Sequence, residues 1–558
     1  MADKEIYTPS SLFSDINFGL DTETTVIRER EREGVKLKEL YFSAREVGEK
    51  RPRGYALLAQ NAPSCPLLVI IGDLNHAIEE ELMMSFAAQG YSVLMFDYTG
   101  EEEGKAKYTF YPQEIEYANL SRAGRHLTHA EPDARATCYF EWAALSHFAL
   151  SSALQLLGEN VKVGLLGVGR GANIVWMQAS FDERISACCA LFAAGWDAYK
   201  NKHKYGDDGT PGELDEERER WLAAISAEAY AKFIEVPMLY VTGSNSQLTD
   251  MDRAFDTMAR LPNPDTALCC VAPRLSEHVG NAGRKNIELF FDKFLKGKAA
   301  EFPKRPQAAI SASGGKISVT VTCQKEEAAC VEVYVAEGQI NPAARNWIAY
   351  KAEPEGEGFV ARHEVTIPEG KLFAYANVKY KSGFTLSTKL LAADVKELGL
   401  QVSPFRRLPI IYDSDMGKDS FTIFTPMPPT LWEILFSDFE IALKKGPGDI
   451  LGVGCSAFRI ATYKVGDRRF AAQDEESFKF DVYSPAGQEL SVYAYDLLEG
   501  HYHKCKVKLL GGCIWHPVEV SLQSLKSADG RSLKSWESVS MIGFAAESEF
   551  YLNNILWI

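Results

Sequence analysis

A largely apolar run, Val161 to Leu166, passes directly into Gly167-Val168-Gly169-Arg170-Gly171 and then into a helix-like stretch, Ala172 to Ala179. No other feature restricts the fold as much. Glycines this closely spaced let the backbone turn sharply, take positive φ and approach its neighbours without a Cβ in the way. A strand that turns straight into a helix belongs to a parallel sheet, because a helical crossover returns the chain to the start of the next parallel strand.

The rest of the first half repeats this alternation. Leu67 to Ile71 is a short apolar run ending at Gly72, and Ile78, Leu82 and Phe86 then recur at helical spacing. Tyr91 to Phe96 is the next strand. Trp142 to Leu157 reads as a helix stopped by Gly158. Ile185 to Ala193, Met238 to Thr242 and Leu268 to Ala272 are further buried strands, and Asn286 to Leu295 is a closing helix. The pattern predicts a mainly parallel sheet with helices on both faces, in a domain covering 1–298. Pro303 and Pro306 then mark a linker. Lys316 to Cys323, Val331 to Val335, Phe359 to Val365, Leu372 to Tyr380 and Thr385 to Thr388 are short alternating strands, predicting a β-sandwich over 304–398. Phe478 to Tyr483, Leu490 to Tyr495, Lys504 to Leu510, Val518 to Leu522, Met541 to Phe544 and Phe550 to Leu556 predict a jelly-roll sandwich over 399–558.

A chain of 558 residues is expected to hold several domains. Its net charge of -16 opposes phosphate, so no nucleic-acid partner is expected. No apolar run is long enough for a membrane-spanning helix, and Met1-Ala2-Asp3-Lys4-Glu5 has no apolar signal core, so a cytoplasmic, membrane-free protein is expected. The 11 cysteines include the adjacent pairs Cys188-Cys189 and Cys269-Cys270 inside apolar runs, and they read as reduced, buried thiols. There is no C-x-x-C pair, which argues against zinc, and neither a metal nor a cofactor is expected.

Strand, glycine turn and helix are also the setting of the nucleophile elbow, G-x-S-x-G, and here Gly169 stands where the serine should be. Glycine has no side chain with which to attack. In elbow enzymes an acid and then a histidine follow in chain order. The loop after the last strand, Pro273-Arg274-Leu275-Ser276-Glu277-His278, puts His278 at the histidine position. The acid position, in the loop Ser244-Asn245-Ser246-Gln247, falls on Ser246. Asp197 is a candidate acid that orients His278 from a neighbouring strand end. Asp250 and Asp252 are alternatives, although carboxylates there also suit a helix start. The backbone N–H of Arg170 is the expected oxyanion donor. Arg170, Gly171, Asp73, Leu74, Asn75 and Tyr98 are the candidate ligand contacts.

From about Lys36 to Gly297 the chain resembles the acetyl-xylan-esterase and dienelactone-hydrolase branch of the α/β-hydrolases, and is similar to prolyl-oligopeptidase catalytic domains. The resemblance rests on Phe96-Asp97-Tyr98-Thr99-Gly100, the elbow, Met251-Asp252-Arg253-Ala254-Phe255-Asp256 and the His278 loop. The later domains resemble a fibronectin type III or Ig-like module and a carbohydrate-binding-like jelly roll. The resemblance implies an α/β-hydrolase fold and, where the triad is complete, hydrolysis of acyl esters or peptides. This chain departs from the family at the nucleophile.

Other readings of the same residues stay open. Gly167-x-Gly169-x-x-Ala172 satisfies the dinucleotide fingerprint, but several strands precede it and Ala187 to Ala194 offers no carboxylate to a ribose. A plain anion site at the helix start is an alternative. Trp196 to Phe233, including Lys200 to Lys204 and Glu213 to Arg220, reads as a lid or a solvated insertion. Trp432, Tyr502, Trp515, Trp536 and Trp557, with His501 and His503 nearby, are sugar-stacking candidates or core aromatics. The expectation is a catalytically retired hydrolase-fold protein with a degenerate triad, binding a small-molecule or carbohydrate ligand or a partner, with homo-oligomerisation open. The competing reading is an esterase acting on acylated carbohydrate or small acyl esters through a displaced nucleophile or water activated by His278. An incomplete triad leaves about 10³–10⁴-fold acceleration over water.

Overall fold

The computed structural model describes residues 6–558 apart from 159, 200–201, 207–211, 213, 299–301, 401, 403–405 and 474–475. Three antiparallel strands, β1 (Thr25–Arg32), β2 (Val35–Ser43) and β3 (Arg53–Gln60), open the first sheet. Six more follow: β4 (Leu67–Ile71), β5 (Ser92–Asp97), β6 (Val163–Val168), β7 (Ile185–Leu191), β8 (Met238–Gly243) and β9 (Ala267–Ala272). The nine lie in the order β1-β2-β3-β5-β4-β6-β7-β8-β9, parallel from β5 to β9. All residues of β4, β6, β8 and β9 are buried, because helices cover both faces. At the opposite edge β1 is almost entirely exposed, and its Arg-Glu alternation protects an open strand.

On one face lie α1 (Glu80–Ala88) and the long α7 (Gly280–Lys296). On the other are α2 (Cys138–Leu157), α3 (Arg170–Gln178), α4 (Glu216–Ile225), α5 (Ala227–Tyr230) and α6 (Met251–Met258). Thr137 caps α2 by accepting the Phe140 N–H, and Gly158, at φ 102°, ends it. Helix α2 is buried almost all round, because Tyr7, Leu12 and Phe13 pack in the same core. Cys188 belongs to one core and its neighbour Cys189 to the other, as alternation along a strand requires; all 11 cysteines are free thiols.

Two sandwiches of antiparallel sheets follow, the first of four and five strands, the second of six and five. In the first, Ile317, Val319 and Val321 share a core with Val331, Val333 and Val335. In the second, Phe478, Phe480 and Val482 meet Leu490, Val492 and Phe544. A short helix, α8 (Leu431–Phe436), follows the first two strands of the second sandwich, Ile410–Tyr412 and Phe421–Thr422. No helix among the described residues is long and apolar enough to cross a membrane.

The three units are joined by polar contacts. The edge of β9 is covered by the first sandwich: the Val271 N–H donates to Ser387 Oγ (2.7 Å) and the Val271 carbonyl accepts from Asn377 Nδ2 (2.9 Å). Arg345 binds Asp252 through two contacts of 2.5 and 2.7 Å, both side chains fully buried. Glu79 accepts the N–H groups of Leu431 and Trp432 at 2.8 and 3.0 Å, placing a negative charge on the start of α8.

The strand order matters for the site. From β4 the chain passes to β5 on one side, and later lays β6 on the other. The loops leaving β4 and β6 therefore diverge at the carboxyl ends of the strands, and in open α/β sheets ligands bind in the crevice so formed.

Candidate functional site at the glycine turn

Gly169 joins β6 to α3 with φ 55° and ψ −121°, a conformation that strains any residue with a side chain. Gly167 and Gly171 are structural. A Cβ on Gly167 would lie 2.5 Å from Ala172 Cα, and one on Gly171 would lie 2.3 Å from the carbonyl oxygens of Ile71 and Gly72. Gly171 is therefore a packing residue of α3 against β4, and the expectation that it contacts ligand is corrected.

Asp73, the second residue after β4, occupies the turn. Its Oδ1 accepts the backbone N–H of Arg170 (2.9 Å) and that of Leu74 (2.9 Å). An elbow hydrolase builds its oxyanion hole from two such groups: the N–H after the nucleophile, and one from the loop that here follows β4. Both donors converge, but on the chain's own carboxylate. The expected free Arg170 N–H is thus corrected, and so is Leu74 as a ligand contact. A Cβ on Gly169 would fall 2.5 Å from Asp73 Cγ and 2.6 and 2.9 Å from its oxygens. The space next to the turn where a side chain would start belongs to Asp73. The loop is held in place by His76, which accepts the Asp73 N–H at Nδ1 (3.0 Å) and donates from Nε2 to the Pro429 carbonyl (2.9 Å). Tyr98 is buried, with its hydroxyl on the Gly72 carbonyl (2.7 Å), and Asn75 is exposed beside it; neither faces the main cavity. A dinucleotide phosphate on this helix start would meet the Asp73 carboxylate, so that reading is not supported; the anion site exists, filled from within.

Above the turn is a cavity of about 380 Å³ with walls from all three units. Asp73, Gly169, Arg170 and Asn173 form its floor, Asp197, Tyr199, Lys202 and His203 one wall, and Ser246 to Asp250 another. Asn341 to Ala343 come from the first sandwich, and Tyr495, Leu497 and Gly500 from the second. Arg170 donates to Asp197 (3.0 Å). Tyr139, then Asp197 and Asp73, raise the guanidinium pKa further, so it is always charged. Asn173 is 2% exposed and its Oδ1 has no hydrogen-bond partner. Burial, with Asp252 beside it, pushes the Asp250 carboxyl up to about 6. Asp250 also caps α6 and Asp252 is committed to Arg345, so both belong to the helix start. Ser246 lines the cavity and its Oγ accepts the Leu248 N–H (3.2 Å).

His278 does not reach this cavity. It is 3% exposed and faces the segment from strand Phe421–Thr422 of the second sandwich to α8, donating from Nδ1 to the Glu433 carbonyl (3.1 Å) and meeting Thr425 Oγ1 at Nε2 (2.9 Å). Burial lowers its pKa and keeps the ring neutral. Asp197 pairs with Arg170 and not with His278, so its role as triad acid is corrected. The lid reading is corrected too: beyond its cavity-lining start, the segment folds into α4 and α5, with Trp221 and Tyr230 buried in the core. Lys200 and Glu213 lie outside the described residues. Trp536 and Trp557 are core residues, while Trp432 is 39% exposed and stacks on Phe436 of α8.

Sequence reasoning misses Asn173, although its place one helical turn after Gly169 is a signal that points to it; Asn341 and Tyr495 arrive from later domains, and no local pattern announces them.

Sheet order, flanking helices and the turn after β6 define an α/β-hydrolase fold followed by antiparallel sandwiches. Among solved structures, the chain is similar to acetyl xylan esterase 1 from a Thermoanaerobacterium species (14% identity, TM-score 0.38, covering 52% of this chain and 92% of that one). It is similar also to an acetyl xylan esterase from a Paenibacillus species (12%, 0.38, 51% and 92%) and to an acylaminoacyl peptidase from Pyrococcus horikoshii (14%, 0.34, 50% and 50%). No protein-family model matches the chain, and no curated protein does.

Proposed function

We propose that this protein binds a small polar ligand on a hydrolase scaffold and does not perform covalent serine hydrolysis. The observation that carries the reading is Asp73: its carboxylate takes both oxyanion-hole amides and the space beside Gly169. An ester carbonyl entering the turn would meet a full negative charge where its own oxygen must develop one, which opposes the transition state. Water activation by His278 is disfavoured, since both ring nitrogens are engaged away from the cavity. The ligand contacts are the Arg170 guanidinium, the unsatisfied Asn173 carbonyl, which accepts an N–H or O–H, and the polar rim of Tyr199, Lys202 and His203. A hydroxyl-rich or amide-bearing molecule with an anionic group matches this lining.

The test compares the parent with Gly169→Ser and with the pair Gly169→Ser/Asp73→Gly on p-nitrophenyl esters and a fluorophosphonate probe. The parent and the single variant are expected to be inert. Parental turnover that disappears in His278→Ala would refute the reading. A thermal-shift screen of acidic sugars and acylated amino acids, repeated on Asn173→Leu, identifies the ligand class.

A further inference from the structure

The second sandwich carries a cluster that neither the cavity nor the elbow uses. Strand His501–Leu509 begins with His501, and His503 stands on the same face two residues on, as the period of a strand dictates. Glu499 precedes them in the tight turn, where Gly500 takes φ 70°. One ligand atom from each of the three lies within 4.8 Å of the others. Glu499 Oε2 is 3.1 Å from His501 Nε2 and 3.9 Å from His503 Nε2. Three donors around one ion at about 2.0–2.2 Å each stand at roughly such separations from one another.

Hydrogen bonding supplies the second observation. The His503 side chain is 1% exposed, and neither of its ring nitrogens has a hydrogen-bond partner. Glu499 Oε2 makes no hydrogen bond beyond its 3.1 Å approach to His501 Nε2, and His501 Nδ1 has none either. Buried polar atoms are nearly always paired, and several orphans in one cluster mark a place where something else binds. Around them, Lys534 and Arg531 hold the other carboxylate oxygen, Oε1, at 3.0 and 3.4 Å, which leaves Oε2 turned to the histidines. Arg531 also approaches His501 Nε2 at 3.4 Å. Both cationic side chains are more than half exposed, Lys534 at 77% and Arg531 at 53%, and Arg531 has Asp529 Oδ2 at 2.7 Å as a second carboxylate partner.

We infer that Glu499, His501 and His503 form a binding site for one divalent transition-metal ion of the zinc type. Two imidazoles and one carboxylate are the donor set that such ions prefer over calcium or magnesium, and three protein ligands leave a coordination position for water or a ligand group. Gly500, between two of the ligands in sequence, lines the cavity, whereas the three ligand side chains themselves do not.

The full chain, stripped with a chelator, is titrated with Co²⁺ by absorbance and with Zn²⁺ by calorimetry. One equivalent is expected, with cobalt d–d bands and no thiolate charge-transfer band. His501→Gln, His503→Gln and Glu499→Gln should each weaken binding by roughly tenfold or more. Glu499→Gln changes a turn residue only and guards against misfolding of the strand variants, with circular dichroism as the check. The exposed Cys513 is a competing soft ligand, and Cys513→Ser should leave the titration unchanged. Absence of binding, unchanged affinity in Glu499→Gln and His501→Gln, or loss of the signal in Cys513→Ser would each overturn the site.

Discussion

Placing a methyl group on Gly169 probes whether the turn and Asp73 have been fitted to each other. The backbone there has φ 55°, and an L-residue in the left-handed region costs about 1–2 kcal/mol. The new Cβ would also lie 2.5 Å from Asp73 Cγ, well inside contact distance, and overpacking of this kind costs about 1–3 kcal/mol. Gly169→Ala should therefore destabilise by about 2–5 kcal/mol. Asp73→Gly alone leaves the Arg170 and Leu74 amides without their acceptor, at about 1–3 kcal/mol less whatever water from the cavity returns. In the double variant the overlap is gone while the backbone strain and the two orphaned amides remain, so the two changes should be less than additive by about 1–3 kcal/mol. Urea unfolding followed by intrinsic fluorescence measures this. The first transition is compared across the four proteins, since three packed units need not unfold in one step. Additivity within about 0.5 kcal/mol would show that Asp73 moves aside freely, and the account of the filled oxyanion hole would fall.

Arg345→Leu should destabilise by about 3–5 kcal/mol by stranding the buried Asp252 carboxylate, and Arg345→Leu/Asp252→Leu should recover most of it, as read by the same denaturation curves. His278 has its folded pKa lowered by burial beneath the ordinary 6.5. The unfolded chain then takes the proton more readily, so the contribution of His278 is complete above about pH 6.5 and is lost as pH falls through the lower folded value. Melting temperature should thus drop on mild acidification, and His278→Gln should flatten that part of the profile; an unchanged slope would count against the neutral histidine.

The alternation of strands and helices was readable because β4 to β9 are buried on both faces and so appear as unbroken apolar runs. The first three strands were not readable in the same way. In β1 the residues Arg28, Glu29, Arg30 and Glu31 carry no apolar face, and its pairing is only visible once β2 lies beside it. The elbow at Gly169 was legible from local spacing, and so was the absence of an acid at Ser246. What fills the turn was not. Asp73 lies 97 residues from Arg170 in sequence, and its contact depends on β4 and β6 being adjacent in the sheet. His278 was placed correctly in its loop and given the wrong neighbours, because Thr425 and Glu433 come from a segment beyond the first sandwich.

The cavity has a consequence that follows from its walls. Each of the three units supplies part of the lining, so a molecule that fills the cavity would touch all of them. Occupancy then adds to the docking of the units by mass action, about 2.7 kcal/mol at a free concentration of 100 times Kd. A ligand for this protein would act as a reversible cross-link, and the mutual protection of the three units against proteolysis becomes a direct readout of how much of it is bound.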